Sequence, residues 1–367
     1  MAVPSRLDQR VSSTIRRDIQ GASGYAIQAS AGLVKLDAME NPFTLPVELQ
    51  EELGSRLGRV SINRYPLNKP ELAARLAEHF GVPSGCDVIL GNGSDELIDI
   101  LSTACAIPGA TVLAPVPGFV MYEMSAKLRG LNFIGVPLTA DFALDLPAML
   151  ATIERHHPAL TYLAYPNNPT ANLFDASAIE QVVAAVGSQN GFVVIDEAYQ
   201  PFSSRTWMGR LADHQHVLVL RTLSKFGLAG IRLGYLAGDA ALLQQIDKCA
   251  PPYNISSLDS EAALFALDHA DEYTRQAAEI RTQRERLTRE LAGMSGATVF
   301  PSEANMILVR VPASGAVFEA MKRRGVLVKH VAGLHPLLTG CLRLTVGTAH
   351  ENTVMLAALQ DSLAEVA

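Results

Sequence analysis

The chain has 367 residues, of which 49% are hydrophobic and 18% charged, and its formal net charge is −7. This length allows a sizeable core in one large or two modest domains. The acidic balance argues against nucleic acid or an anionic membrane as a partner, because both need basic surface. There is no apolar run of membrane-spanning length, no apolar core of a secretory signal and no CxxC pair among the four cysteines, so we expect a cytoplasmic protein with reduced thiols.

Short β-branched runs alternate with helical patterns along the first 250 residues. The predicted strands, in chain order, are Asp87–Leu90, Thr111–Ala114, Asn132–Val136, Leu160–Ala164, Phe192–Ile195, Val217–Leu220 and Leu233–Ala237. Several are continuously apolar, as strands covered on both faces should be. Between them we predict helices such as Glu96–Ala106, Phe119–Arg129 and Ala176–Val186. This alternation predicts an α/β fold whose large domain has a mostly parallel, seven-stranded sheet flanked by helices.

The pattern changes after Pro251 and Pro252. Ser260–Met294 is typical of one or two long helices with charged residues on an exposed face. The elements predicted beyond it are strands at Met306–Val311, Val326–Lys329 and Cys341–Val346 and helices at Gly315–Arg324 and Glu351–Glu365. We therefore predict a smaller α+β domain over residues 251–367, a large domain over 43–250, and an N-terminal arm over 1–42 that packs on the small domain.

Ligands of open α/β sheets bind at the carboxyl ends of strands, so the residues that follow each predicted strand are the candidates for a site. The first such segment is Gly91–Glu96. Its glycines let the backbone approach an anion, and the N–H groups of Ser94 and Asp95 would open a helix, which favours phosphate. Taken alone, an ordinary Ser or Asp helix cap is the simpler interpretation. A dinucleotide fingerprint does not fit, because Glu96 stands where its third glycine would be.

Three further polar residues follow predicted strands. Asn168 precedes Pro169, which holds it extended and directs its amide at a ligand oxygen, although Asn-Pro turns are common. Asp196 ends a buried strand, either as a turn residue or as the partner of a cationic ring nitrogen. Lys225 lies between an apolar strand and a Gly-rich loop, where burial and nearby cations would lower its pKa and favour Schiff-base chemistry. A surface lysine is the alternative for that segment.

Together, these segments resemble those of the fold-type I, pyridoxal phosphate (PLP)-dependent aminotransferases of class II. The shared order along the chain is an anion-binding turn, then Asn, then Asp followed by Tyr, and then Ser-Lys followed by Arg. The resemblance covers nearly the whole chain. Within this group the chain is similar to the histidinol-phosphate aminotransferase family. The segments that carry this similarity are Asn63–Pro66, Gly91–Glu96, Tyr165–Thr170, the segment around Lys225, and Gly340–Thr348.

The resemblance implies that PLP is the cofactor and that Lys225 binds it as a Schiff base and then acts as general acid and base. Asp196 would pair with the protonated pyridine nitrogen, which keeps the ring an electron sink. Asn168 and Tyr199 would donate hydrogen bonds to the ring hydroxyl oxygen. Phe119 would stack on the ring where relatives often have Tyr, so that stacking is kept and a hydroxyl hydrogen bond is lost.

The resemblance also implies a phosphate site and a second subunit. The backbone at Ser94 and Asp95, together with Ser224 and Arg232, would hold the cofactor phosphate. Tyr65 would reach the phosphate from the neighbouring subunit. The chain is therefore expected to form a homodimer with a shared active site.

Substrate binding is implied for residues from several parts of the chain. Arg343 resembles an anion-binding arginine, and its planar fork suits a carboxylate or a phosphate. Lys329 stands where the family often has Arg, and it can bind phosphate as a point charge. Asn168 also borders the substrate. Tyr25 and Asn41 resemble residues of an N-terminal substrate lid.

The resemblance implies a transaminase that interconverts histidinol phosphate and 2-oxoglutarate with imidazole acetol phosphate and L-glutamate, in L-histidine biosynthesis. The alternatives are an aminotransferase for aromatic or other amino acids and a PLP-dependent phospho-amino-acid decarboxylase. A PLP-binding transcription regulator is disfavoured, because no basic recognition helix is found. The paired histidines, at 156–157 and at 214 and 216, lack partner ligands at useful spacing, so we expect no metal site.

Overall fold

A computed structural model describes residues 5–21 and 28–366. The chain divides after Gly32 into two compact units. In the first unit, helix α1 (Arg6–Thr14) begins with a capping box formed by Ser5 and Asp8, and helix α2 (Arg17–Gln20) follows. Neither helix has a buried residue. None of the described helices is both long and apolar enough to cross a membrane.

From Leu33 onward helices and strands alternate. The helices are α3 (Val47–Leu57), α4 (Lys69–His79), α5 (Gly93–Ala104), α6 (Met121–Leu128), α7 (Leu146–His156), α8 (Ala176–Ser188), α9 (Ala240–Ile246), α10 (Ser257–Asp268), α11 (Ala270–Ala292), α12 (Ser314–Arg323) and α13 (Ala349–Val366). The strands are β1 (Val34–Lys35), β2 (Cys86–Gly91), β3 (Thr111–Val116), β4 (Asn132–Pro137), β5 (Leu160–Ala164), β6 (Phe192–Asp196), β7 (Val217–Thr222), β8 (Gly234–Asp239), β9 (Thr298–Val299), β10 (Met306–Arg310), β11 (Val326–Leu327), β12 (Lys329–His330) and β13 (Cys341–Thr345).

The larger sheet has seven strands in the order β2-β8-β7-β6-β5-β3-β4. Strand β8 runs antiparallel to both of its neighbours, and the other pairings are parallel. Side chains alternate between two cores, as the pleat requires. Val193 and Ile195 pack with residues of α4, α7 and α8, whereas Val194 packs with residues of α5, α6 and α9. The predicted α/β fold with a mostly parallel, seven-stranded sheet is confirmed.

Every predicted strand exists in the structure, with small differences at the ends. The predicted strand Val326–Lys329 is divided between two sheets, because its first half pairs with β1 and its second half with β13. The predicted helical region Ser260–Met294 forms two helices, α10 and α11, which meet at His269.

The second sheet is antiparallel, with the order β12-β13-β10-β9. It packs with α11, α12 and α13 around a separate core. The segment before α3 joins this region, because Leu36 N–H donates to Leu327 O at 2.8 Å and Asn305 Nδ2 donates to Met39 O at 3.0 Å. The division at residues 42 and 250 into arm, large domain and small domain stays a prediction.

Candidate active site

A cleft of about 560 Å³ lies at the carboxyl edge of the larger sheet. Strands β2, β3, β5, β6 and β7 are mutually parallel through the sheet, so the loops that follow them meet at this edge. The predicted site residues that line the cleft are Ser94, Asp95, Phe119, Asn168, Asp196, Tyr199, Ser224, Lys225 and Arg232. The structure thus brings together residues that are up to 138 positions apart in the chain, between Ser94 and Arg232.

One end of the cleft is formed by the turn from β2 into α5. Gly93 has φ +75°, and a Cβ added there would lie 2.7 Å from Arg232 Nη2. Arg232 also donates from Nη1 to Ser224 Oγ at 3.2 Å and from Nη2 to Asp95 Oδ2 at 3.4 Å. The guanidinium therefore lies against the backbone at the start of the helix, where backbone N–H groups and the helix dipole favour an anion.

Asp196 ends strand β6 with its carboxylate buried in the floor of the cleft. The Tyr122 hydroxyl donates to Asp196 Oδ2 at 2.6 Å, and the Ala198 N–H donates to Oδ1 at 3.0 Å. Both donors are uncharged. Burial therefore dominates over these hydrogen bonds and raises the pKa of Asp196 to about 6.

Tyr122 is a residue of the cleft that the sequence analysis missed. It is fully buried, it stacks on Tyr162 with ring centroids 4.3 Å apart, and it meets Phe119 edge-to-face at 5.6 Å. Burial, followed by the charge of Asp196, raises its pKa well above the usual value, so it remains a donor. The spacing Phe119-x-x-Tyr122 is the signal in the sequence that could have placed Tyr122 in the site. In the predicted helix Phe119–Arg129, residues three apart lie on one face, so Tyr122 would face the same way as Phe119.

Lys225 follows β7 on a tight turn at Ser224–Leu228. The turn needs Gly227, which has φ +134° and whose Cβ would lie 2.9 Å from the Tyr273 ring. Lys225 Nζ donates to Ala38 O at 3.2 Å. Burial, and then the positive charge of Arg343, lower the pKa of Lys225 to about 8. At pH 7 about a tenth of the amine is therefore uncharged and nucleophilic.

Arg343 connects the cleft to the second sheet. Its Nη1 donates to Asn168 Oδ1 at 2.8 Å and its Nη2 to Asp37 O at 2.7 Å. Because the oxygen of the Asn168 amide accepts from Arg343, the amide presents its Nδ2 donors to other groups. Lys329 lies directly opposite Arg343 in the antiparallel pair β12–β13, so the two side chains share one face of that sheet.

Arg343 and Lys329 are not among the residues that line the cleft, and of the other predicted residues two lie apart from the lining and one lies outside the described residues. Tyr65 is 72% exposed and stacks on Tyr253, with centroids 4.3 Å apart. Asn41 donates to Gln276 Oε1 at 2.9 Å and lies 3.5 Å from Phe226 O, next to the Lys225 turn. Tyr25 lies outside the described residues.

A buried ion pair behind the cleft was also missed by the sequence analysis. Arg221 donates from Nε and Nη2 to Glu197 Oε2 at 3.0 and 2.8 Å, and from Nη1 to Tyr235 OH at 3.2 Å. The Trp207 N–H donates to Glu197 Oε1 at 2.5 Å. Glu197 follows Asp196, and Arg221 is the penultimate residue of β7, the strand that leads to Lys225. The pair therefore fixes the ends of β6 and β7 relative to each other.

The fold and the cleft define a class of protein, and the comparisons with known proteins agree. The family model for class I and II aminotransferases matches residues 31–359. The chain belongs to this family and is a transaminase, as predicted.

Within the family the chain is similar to histidinol-phosphate aminotransferases. It is 65% identical to the one from Methylibium petroleiphilum, over 97% of this chain and 96% of the relative, and 57% identical to the one from Polaromonas naphthalenivorans, over 99% and 100%. The crystal structure of histidinol-phosphate aminotransferase from Sinorhizobium meliloti in complex with pyridoxal-5'-phosphate matches with a TM-score of 0.82 and 25% identity, over 97% of this chain and 99% of that one. The predicted family is confirmed.

Proposed function

We propose that this transaminase uses PLP to exchange an amino group between L-glutamate and imidazole acetol phosphate, giving 2-oxoglutarate and histidinol phosphate in L-histidine biosynthesis. The observation that carries the proposal is the convergence in one cleft of a lysine with a lowered pKa, a buried acid and an anion-binding helix start. The names of the relatives at 57% and 65% identity support histidinol phosphate as one of the substrates.

The residues of the cleft fit PLP. A cationic ring nitrogen beside Asp196 would compensate the buried carboxylate, whose two hydrogen-bond donors are uncharged. When bound, PLP supplies an electron sink for the carbanion that forms at the substrate Cα. Asn168 Nδ2 and the Tyr199 hydroxyl would donate to the ring hydroxyl oxygen, and Phe119 would cover a ring face.

Lys225 has two tasks in this proposal. Its uncharged amine would hold the cofactor covalently, and after release it would move a proton between the substrate Cα and C4′ of the cofactor. A pKa of about 8 suits both tasks, because the group can accept and return a proton near neutral pH.

The cofactor phosphate would lie against the backbone N–H groups of Ser94 and Asp95, the Ser224 hydroxyl and Arg232. The hydrogen bond of Arg232 to Ser224 Oγ supports this phosphate site, since it places the guanidinium and the hydroxyl group next to each other. A phosphate would replace the Asp95 carboxylate as the anionic partner of the Arg232 guanidinium.

Arg343 would bind the anionic end of each substrate in turn. Its guanidinium fork matches a carboxylate of glutamate or the phosphate of histidinol phosphate. Lys329 on the neighbouring strand would add a second positive charge on the same face. Asn41, which lies beside the Lys225 turn, would border the substrate, whereas Tyr25 lies outside the described residues.

We also propose a homodimer that acts in the cytoplasm, with Tyr65 completing the phosphate site of the neighbouring subunit. The exposed apolar side chains around it support an interface, because Ile62 is 77% and Leu67 is 87% exposed.

A single-turnover assay tests the function. The protein loaded with PLP is mixed with histidinol phosphate, phenylalanine or threonine phosphate, and the loss of cofactor absorption is followed. Histidinol phosphate should react fastest. Faster reaction with phenylalanine, or release of carbon dioxide from threonine phosphate, would replace the proposal by one of its alternatives.

Replacement of the central lysine tests the chemistry. Lys225→Ala should lower turnover on the order of 10⁴-fold and leave part of the PLP affinity, because the phosphate and ring contacts remain. Borohydride reduction of the wild-type protein should label Lys225, as mapped by mass spectrometry. Lys127→Ala, at an exposed ion pair on α6, is the control and should keep full turnover. Wild-type turnover in Lys225→Ala would refute the assignment.

A further inference from the structure

The turn from β2 into α5 is held by Asn254, which lies 162 residues further along the chain than Asn92. Asn254 Nδ2 donates to Leu90 O at 3.1 Å and to Glu96 Oε2 at 2.8 Å. Its backbone oxygen accepts from Asn92 Nδ2 at 2.6 Å. Asn254 therefore bonds to the residue before the turn, to a residue within it and to a residue after it.

These bonds divert Asn92 from the usual role of its residue type. Asn at a helix N-cap ordinarily accepts from the N–H groups of the first turn, but the Asn92 side chain makes no such bond. Its amide instead donates to Asn254 O and to Glu96, and its own N–H donates to Glu96 Oε2 at 2.7 Å. The first N–H groups of α5, at Ser94 and Asp95, are thus not capped by Asn92 and can bind an external anion.

The segment that carries Asn254 is itself anchored. Ile255 is 1% exposed and belongs to the main core, and Ser256 caps helix α10. Tyr253 stacks on Tyr65, and Lys69 Nζ donates to Asn254 Oδ1 at 3.1 Å. The side chain of Asn254 therefore has little freedom, and the turn it holds is ordered before any ligand arrives.

We propose, resting on the function proposed above, that Asn254 is a positioning residue for the phosphate of the cofactor. It engages Asn92 and Glu96 so that the N–H groups at the start of α5 remain available to the phosphate. Asn254 is not among the residues that line the cleft, and its hydrogen-bond partners are Leu90, Asn92, Glu96 and Lys69 rather than Lys225. Its loss should therefore weaken the binding of the phosphate and leave the reaction of the lysine with an aldehyde unchanged.

A comparison of two ligands tests this. PLP and pyridoxal carry the same ring and aldehyde, and only PLP carries the phosphate. Dissociation constants of both are measured by absorption titration of the apo-protein. In Asn254→Ala the constant for PLP should rise about tenfold, and that for pyridoxal should change by less than about twofold. Glu96→Gln, which keeps the shape and weakens the acceptor, should give a smaller change in the same direction.

The control is Asn132→Ala. Asn132 Nδ2 donates to the backbone oxygen of Gly109 at 3.2 Å on an exposed edge strand, and its loss should leave both constants unchanged. If the ratio of the PLP and pyridoxal dissociation constants were the same in Asn254→Ala and in Glu96→Gln as in the wild type, the positioning role would be overturned. The proposed function would remain intact. A wild-type protein that binds pyridoxal as tightly as PLP would refute the phosphate site, and with it both proposals.

Discussion

Two residues of opposite charge type, Asp196 and Lys225, face the same cleft, and burial shifts both toward their neutral forms. The pKa of Asp196 is raised to about 6 and that of Lys225 is lowered to about 8, in each case chiefly because the charged form is desolvated. PLP would relieve both costs. A cationic ring nitrogen would give Asp196 a counter-charge, and a covalent bond to the cofactor would replace the buried ammonium group of Lys225. Both effects would favour the protein with PLP bound over the protein without it.

The pH dependence of apo-protein stability should report the buried carboxyl group. The folded-state pKa of about 6 lies above the ordinary value of 3.8, so the folded protein binds more protons than the unfolded chain between these values. The contribution of Asp196 to the free energy of unfolding therefore falls as pH rises from about 4 to about 6, on the order of 3 kcal/mol in total. Denaturant unfolding of the wild type and of Asp196→Asn, at several pH values, measures the difference.

A matched control carries the opposite sign. Asp175 caps helix α8, and hydrogen bonds from Ser177 and Ala178 lower its pKa. The wild-type protein should therefore gain stability relative to Asp175→Asn as pH rises from the lowered pKa to the ordinary value of 3.8, and the difference should stay constant between pH 4 and pH 6. A flat difference for Asp196→Asn between pH 4 and pH 6 would contradict the desolvation of this carboxyl group.

At the scale of elements, the sequence predicts the larger sheet well because its strands are short apolar runs bounded by turn residues. Parallel strands bring the residues after each strand to one edge, so the sequence pattern alone is enough to group Asn168, Asp196 and Lys225. The two-residue strand β1 carries no such signal, and the predicted strand Val326–Lys329 does not reveal that its first half, β11, pairs with β1. This pairing joins Val34 to Val326 across 292 residues, so it depends on tertiary contacts.

Two side chains that support the site, Tyr122 on a helix and Asn254 in a loop, were not predicted. Tyr122 contacts Asp196 because α6 begins at Met121 and turns that face inward, and helix starts are poorly fixed by sequence patterns. Asn254 lies in a loop and shows its role only when Leu90 and Glu96 are beside it. In each case the missing information was the orientation of one element on another.

Gly93, in the turn between β2 and α5, allows a test in which Gly130, which follows α6, is the control. Gly93 and Gly130 have φ of +75° and +77°, so alanine strains both by about 1 kcal/mol. Only at Gly93 does the added Cβ meet Arg232, at 2.7 Å, whereas nothing lies within 4 Å of a Cβ at Gly130. Gly93→Ala should therefore displace the guanidinium and raise the dissociation constant of PLP about tenfold or more. Equal PLP affinity in Gly93→Ala and Gly130→Ala, measured by titration, would exclude Arg232 from the phosphate site.

At the scale of the whole molecule, the short surface segment of residues 62–67 exposes several large apolar side chains. Ile62, Tyr65 and Leu67 all point outward, and Tyr65 is held by its stack on Tyr253. An exposed aromatic side chain that is already held in place loses less conformational entropy when it binds to another subunit. In the proposed dimer each site combines Lys225 of one subunit with Tyr65 of the other.

Mixing two impaired variants tests this arrangement. In a heterodimer of Lys225→Ala and Tyr65→Ala subunits, one site carries both substitutions and the other carries neither. Equal mixing and re-equilibration of subunits should therefore restore about a quarter of wild-type activity, measured at limiting PLP, since half of the dimers are mixed and half of their sites are intact. If Tyr65 instead serves its own subunit, every site contains a substitution, and the mixture never exceeds the residual activity of Tyr65→Ala. The recovered activity thus separates a shared site from two independent ones, because neither variant can supply it alone.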